Sequence, residues 1–306
     1  MIRKKAEIST FRISYRNTVL FTSRFPCVML KKNEMARVTG EGVLLMVSID
    51  QKKCIGCGLC VKDCFFGVLQ IKDGKAQVSG DCFGCGHCVA LCPANAVTMP
   101  DYPMEEVRES DESCRMHPEN LLHFMQFRRS VRQFQKTPVP MESIHNILEA
   151  GRYTPTAANR QDVSYILVQE NLEEFKKIVW EGLGERLAKG VPDPYAYRMQ
   201  LFYDAYQKDP QDDRLFCGAD LCMIVLSDVP VNGTLAMTSM ELMAQAQGVG
   251  VLYSGFLQRI ILDTPKALDF LGLDGTKTLG TVMLFGMPAV TYQRTAPRKK
   301  INVTWK

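Results

Sequence analysis

The chain has 306 residues, of which 46% are hydrophobic and 23% charged, and a formal net charge of +4. These are ordinary values for a folded protein of about two domains, and they exclude wholesale disorder, a collagen-like chain and a coiled coil. No run of about 18 apolar residues occurs, so no membrane-spanning helix is expected.

The charge is unevenly placed. Residues 1–45 hold nine Lys/Arg and three Glu, whereas residues 46–306 hold 28 basic and 30 acidic residues. The part expected to fold is therefore nearly neutral, which argues against a nucleic-acid surface. Residues 1–45 contain no Asp and no sustained helical or strand period. An organellar transit peptide is one reading, since such segments are Arg-rich and acid-poor. The preferred reading is a disordered or non-native leader. Gly40-Glu41-Gly42 can be encoded by a purine-rich run resembling a bacterial ribosome-binding site, and Met46 then opens the folded sequence.

Eight of the 12 cysteines lie between positions 54 and 92. Cys54, Cys57, Cys60 and Cys64 recur as Cys82, Cys85, Cys88 and Cys92, each displaced by 28 positions, and Gly56 and Gly58 recur as Gly84 and Gly86. Each copy has the spacing C-x2-C-x2-C-x3-C. Three thiolates on one tight loop reach three iron corners of a cube, small glycines let backbone amides turn toward the sulfides, and the fourth ligand comes from the other repeat. On that rule one [4Fe-4S] cluster takes Cys54, Cys57, Cys60 and Cys92, and a second takes Cys82, Cys85, Cys88 and Cys64. Zinc also uses C-x2-C pairs, but it needs no third cysteine at this spacing. Residues 46–100 resemble the bacterial two-[4Fe-4S] ferredoxins. Phe65 stands where that family usually has Pro, while Pro93 keeps it. A long chain with no clean signal sequence, using its cysteines as metal ligands, suits a reducing cytoplasm.

Residues 101–117 read as a polar, mostly acidic linker, and residues 118–306 as a second domain. Pro118 opens a helix to about Phe127, and a second helix fits Met141 to Tyr153. Val163 to Val168 reads as a strand, and Asn171 as the cap of a helix to about Leu187. Residues 190–215 are rich in Tyr, Phe, Pro and Asp. They read equally well as an aromatic lid over a flat substrate or as an amphipathic helix packed on the core. Leu221 to Leu226 is a buried strand. Leu235 to Gln247 is a helix stopped by Gly248, Thr264-Pro265 opens a short helix, and Thr281 to Phe285 is a strand. Interleaved helices and strands make this half α+β or α/β.

Four features of this half carry chemistry. Arg128-Arg129-Ser130-Val131-Arg132 offers guanidinium pairs that match phosphate oxygens. Pro155-Thr156-Ala157-Ala158-Asn159-Arg160-Gln161 brings small and amide side chains to a polar ring edge. Gly248 to Tyr253 can bring backbone amides close to a flat ligand, because glycine has no Cβ. A second basic cluster, Arg298-Lys299-Lys300, lies near the end.

In this order the pieces resemble the nitroreductase family of FMN-dependent oxidoreductases, from about His123 onward. The whole chain resembles that family's ferredoxin-fused branch. The resemblance implies an α+β FMN-binding fold preceded by a small ferredoxin-like iron–sulfur domain, and an intertwined homodimer with FMN at the subunit interface. It assigns Arg128, Ser130 and Arg132 to the FMN phosphate and ring edge, with Arg129 nearby. Pro155, Thr156, Ala157 and Asn159 would contact the flavin across the interface, with Gln161 in the same segment. Gly250, Val251 and Leu252 would lie near the flavin N5 edge, and Arg298 and Lys300 would help hold the phosphate.

The implied activity passes electrons from two [4Fe-4S] clusters through FMN to a small electron-poor acceptor: a nitroaromatic, quinone or enone. The alternative is an electron-transfer relay or redox sensor acting on a protein partner. No Rossmann fingerprint is present, so the donor is a ferredoxin, a flavodoxin or an NAD(P)H-linked system rather than necessarily the nucleotide itself.

Overall fold

The computed structural model describes residues 47–306. The leader expected over residues 1–45, and the start expected at Met46, lie outside the described residues.

The cysteine-rich half consists of short elements: β1 (Ser48–Ile49), α1 (Leu59–Asp63), β2 (Leu69–Lys72), β3 (Lys75–Val78), α2 (His87–Leu91) and β4 (Val97–Thr98). β1 pairs antiparallel with β4, and β2 with β3. The repeat is visible in the backbone. Gly58 and Gly86 sit just before α1 and α2 with φ of +74° and +75°, a conformation that penalises any Cβ. Val47, Leu69, Ala76, Ala96, Val97 and Met99 form a small core together with Cys54, Cys60 and Cys88.

Residues 101–117 hold two short 3₁₀ turns, Met104–Glu106 and Glu112–Cys114. The second half then runs α3 (Pro118–Gln126), α4 (Met141–Arg152), β5 (Ser164–Val168), α5 (Leu172–Ala188), α6 (Ala196–Lys208), β6 (Leu221–Ser227), α7 (Pro230–Ala246), β7 (Gly250–Tyr253), α8 (Gly255–Leu262), α9 (Pro265–Phe270) and β8 (Thr278–Gly286). The four longer strands form one antiparallel sheet in the order β5-β6-β8-β7.

All seven residues of β6 are buried, because helices cover both faces of the sheet. Side chains alternate across a strand. Cys222, Ile224 and Leu226 therefore pack with Phe175, Val179 and Leu183 of α5 and with Leu257, Ile260 and Ile261 of α8. Leu221, Met223 and Val225 meet Ile144 and Ile147 of α4 and Met237, Met240 and Ala244 of α7. Each such large apolar side chain contributes about 1.5–3 kcal/mol on burial. The fold is α+β.

Several boundaries differ from those read in the sequence. α7 begins at Pro230 rather than Leu235, since proline suits a first helical turn. Asn171 sits at the start of α5, yet its side chain makes no cap hydrogen bond. Gly250 to Tyr253, within the stretch expected to bring backbone amides close to a flat ligand, is strand β7, and α8 follows it. Among the described residues, no helix is long and apolar enough to cross a membrane.

Candidate functional site

The described cysteines are all free thiols, and eight of them surround two cavities. Cys54, Cys57, Cys60 and Cys92 line a small pocket floored by Ile49, Ala76 and Val97. Cys64, Cys82, Cys85 and Cys88, with Cys60 at the boundary, line a second cavity of about 400 Å³ walled by Phe65, Phe66 and Phe83. The two groups follow the crossed pattern expected from the repeat, in which Cys64 and Cys92 change sides.

Backbone amides point at these sulfurs. The N–H of Ala76 donates to Cys54 Sγ at 3.4 Å, that of Gly84 to Cys82 Sγ at 3.3 Å, and that of Ala96 to Cys92 Sγ at 3.3 Å. Such donors favour a thiolate. The bonds from Ala76 and Gly56 hold the Cys54 thiol below its usual range. Burial pushes Cys60 up, and pushes Cys88 up to about 11, with the neighbouring Cys82 adding to the effect. Each cavity gathers a loop triplet of cysteines and a fourth from the other repeat. Zinc draws its ligands to one point at about 2.3 Å, whereas an iron–sulfur cube takes one thiolate per iron and keeps the sulfurs apart. The donor set fits a cube. His87, inside the second loop, turns outward, its Nδ1 2.9 Å from Asp63 Oδ2.

In the second half, Ser130 forms a parallel bridge with Val251, and the Val131 N–H donates to the Val251 carbonyl at 2.9 Å. The arginine cluster is thereby fixed along β7. Arg128 Nη1 donates to Glu241 Oε1 at 2.7 Å. Arg129 bends back onto the carbonyls of Gln126, Arg128 and Arg294. Arg132 is exposed, near Cys217. A Cβ on Gly250 would lie 2.9 Å from Val131, 3.0 Å from Phe134 and 3.1 Å from Pro288. Glycine is therefore required there by close packing inside the protein, and Val251 and Leu252 are buried beside it. The C-terminal tail passes the cluster at Tyr292, whose hydroxyl donates to the Ser130 carbonyl at 3.4 Å. Arg298 and Lys300 lie farther along the tail, exposed.

The segment Pro155–Gln161 forms a tight loop in which Ala158, Asn159 and Gln161 all have left-handed backbone, with φ of 56°, 44° and 47°. Such conformations cost of order 1 kcal/mol or more each and persist only where the surroundings impose them. Here the Ala157 N–H donates to Asn232 Oδ1 at 2.8 Å, and the Gln161 N–H donates to Thr156 Oγ1 at 2.9 Å. Pro155 and Ala157 are exposed and Thr156 half-buried.

Within one chain the loop and the arginines are tied to different parts of α7. Asn232 holds the loop near the start of α7, while Glu241 holds Arg128 nearer its end. The two contacts are separated by about 13 Å along the helix axis. The aromatic stretch 190–215 is mainly the packed helix α6. Met199 is buried, Tyr206 stacks on Trp180 at 4.1 Å, and Phe202 meets Phe256 edge-on.

Residues 125–287 match the model of the nitroreductase family. The chain belongs to the nitroreductase family. As a nitroreductase-family protein it is an oxidoreductase, and its residues 53–97 match a 4Fe-4S dicluster domain. Solved structures similar to it include a nitroreductase with bound FMN from Desulfitobacterium hafniense DCB-2, at 24% identity and a TM-score of 0.48 over 62% of this chain and 100% of that one. Another, with bound FMN, comes from Bacteroides fragilis NCTC 9343, at 18% identity and a TM-score of 0.49 over 60% and 98% of the two chains. A third is an FMN-dependent nitroreductase from Clostridium difficile R20291, at 16% identity and a TM-score of 0.48 over 61% and 99%. No curated protein matches the chain.

Two residues of this nitroreductase-family domain escaped the sequence reading. Glu241 is the only charged residue of α7 and is nearly buried, and Asn232 is fully buried. A lone carboxylate within an apolar helix was a signal present in the sequence, because burial of such a charge requires a partner. Glu241 also faces Tyr253, whose hydroxyl is pushed up by burial and by this carboxylate.

Proposed function

We propose that this nitroreductase-family chain is an FMN-dependent oxidoreductase that passes electrons from two [4Fe-4S] clusters through FMN to a small electron-poor acceptor, a nitroaromatic, quinone or enone. The observation that carries the reading is the grouping of eight thiols around two cavities in the segment directly preceding the nitroreductase-family domain. Residues 46–100 are the iron–sulfur domain, 101–117 the connection and 118–306 the FMN domain.

When bound, the cubes supply single-electron steps and FMN supplies two-electron storage. The chain's own residues bind and orient. Cys54, Cys57, Cys60 and Cys92 hold one cube, and Cys64, Cys82, Cys85 and Cys88 the other. Arg128, Ser130 and Arg132 hold the flavin's phosphate and ring edge, and Glu241 aims Arg128. The other wall is Pro155–Gln161 of a second copy, in the homodimer that the family resemblance implies. Free thiols among the described residues suit the cytoplasm, with a ferredoxin, flavodoxin or NAD(P)H-linked system as electron donor.

The test is an anaerobic acceptor screen on the reduced holoprotein, followed by flavin absorbance. Rapid re-oxidation by one class of small acceptor is expected. Failure with every small acceptor, but turnover with a partner protein, would replace the enzyme by a relay.

A further inference from the structure

The iron–sulfur half is stitched to the FMN half through the second cysteine loop. Asn159 Nδ2 donates to the Gly84 carbonyl at 2.7 Å. The Tyr102 hydroxyl donates to the same carbonyl at 3.4 Å and accepts from Gln161 Nε2 at 3.2 Å. Arg152 of α4 pairs with Glu106 alongside. Gly84 lies between Cys82 and Cys85, and its own N–H donates to Cys82 Sγ. An unbroken run of covalent and hydrogen bonds thus leads from Cys82 Sγ to the Asn159 side chain. Gly56, the equivalent glycine of the first repeat, is turned inward, where a Cβ would strike the Gly74 carbonyl.

The FMN half presents Asn159 in a costly shape. Left-handed Ala158 and Gln161 flank it, and the loop is braced through Asn232, which in turn donates to Asp162 Oδ1 at 2.6 Å. Strain of this kind is kept where a geometry is needed.

We infer that the set Cys64, Cys82, Cys85 and Cys88 holds the exit cluster, and that Asn159 is the positioning residue that fixes its loop against the FMN half. The inference rests on the proposed function. Each transfer oxidises the exit cluster by one electron and reduces FMN by one. Two transfers, with a proton from solvent, fill the flavin. The electrons come from the external donor by way of the first cluster, beside which Lys52, Lys53 and Cys57 are exposed.

The test uses Asn159→Asp in the full-length holoprotein. The change keeps shape and tolerance of left-handed backbone but replaces the donor with an acceptor facing a carbonyl. Protein is mixed anaerobically with reduced methyl viologen, and the lag between cluster bleaching and flavin reduction is measured. The expected result is a lag about tenfold longer, compared at equal flavin occupancy because Asn159 also lies in the flavin-facing loop, with iron content and the paramagnetic resonance spectrum of the reduced clusters unchanged. Tyr102→Phe, outside the flavin contacts, lengthens the lag in the same direction and serves if Asn159→Asp does not fold. An unchanged lag in a variant that retains both cofactors overturns the inference. Absence of flavin or iron from the native protein would instead overturn the proposed function.

Discussion

Arg128 and Glu241 form a hydrogen-bonded ion pair at 2.7 Å between residues 113 positions apart, with the carboxylate side chain only 7% exposed. The pair ties the arginine cluster to the middle of the helical layer. Arg128 therefore has two jobs in this account, one toward FMN and one toward the fold.

These jobs separate experimentally. Arg128→Ala leaves Glu241 as an uncompensated interior charge, which costs about 3 kcal/mol. Flavin-free Arg128→Ala protein should melt well below the flavin-free parent in denaturant titrations. Adding Glu241→Gln should restore part of the loss, giving a non-additive double-mutant cycle. Strict additivity would show that the pair contributes nothing to the fold.

Asp162 gives a pH dependence. Burial opposes its ionisation, but the Asn232 amide and the N–H groups of Val229 and Asp228 outweigh that and hold the carboxyl below its usual range. A carboxyl lowered in the folded state stabilises the fold above its unfolded value, and that contribution is lost as pH falls through the folded value. Asp162→Asn should cost about 2 kcal/mol near neutrality and progressively less in acid. Unfolding curves of both proteins from pH 7 downward check this, and a gap that widened on acidification would contradict it.

Gly182 of α5 faces Thr264, whose hydroxyl donates to the Ile260 carbonyl at 2.7 Å and so resists displacement. Gly182→Ala should destabilise by about 1–3 kcal/mol through overpacking, and Thr264→Ala in the same chain should recover part of it. A stabilised Gly182→Ala protein, as expected of alanine in a helix that has room for it, would show that the helices adjust freely.

The parts of the protein written in local spacing were legible in the sequence. The 28-residue cysteine repeat marked eight thiols, and the structure gathers them around two cavities with Cys64 and Cys92 crossed between the repeats. Pro118, Pro265 and Gly248 marked helix ends, because proline and glycine act through their own backbone. What depended on distant partners was not legible. Gly250 was expected beside the flavin, and its close packing against Val131, Phe134 and Pro288 was not legible. Arg129 looked like an anion ligand but bends onto main-chain carbonyls. Asn159 was expected beside the flavin, and its bond to the Gly84 carbonyl, 75 residues earlier in the chain, had no signal in local spacing. The acidic stretch 101–117 looked like a bare connector, but Tyr102 and Glu106 bind the second half.

The most direct measurement is the cofactor content of protein purified anaerobically from its native chain. The account predicts brown-yellow material that releases FMN and contains about eight iron and eight acid-labile sulfide per chain, as two filled cubes require. Colourless protein, or zinc in place of iron on the same thiols, would contradict it.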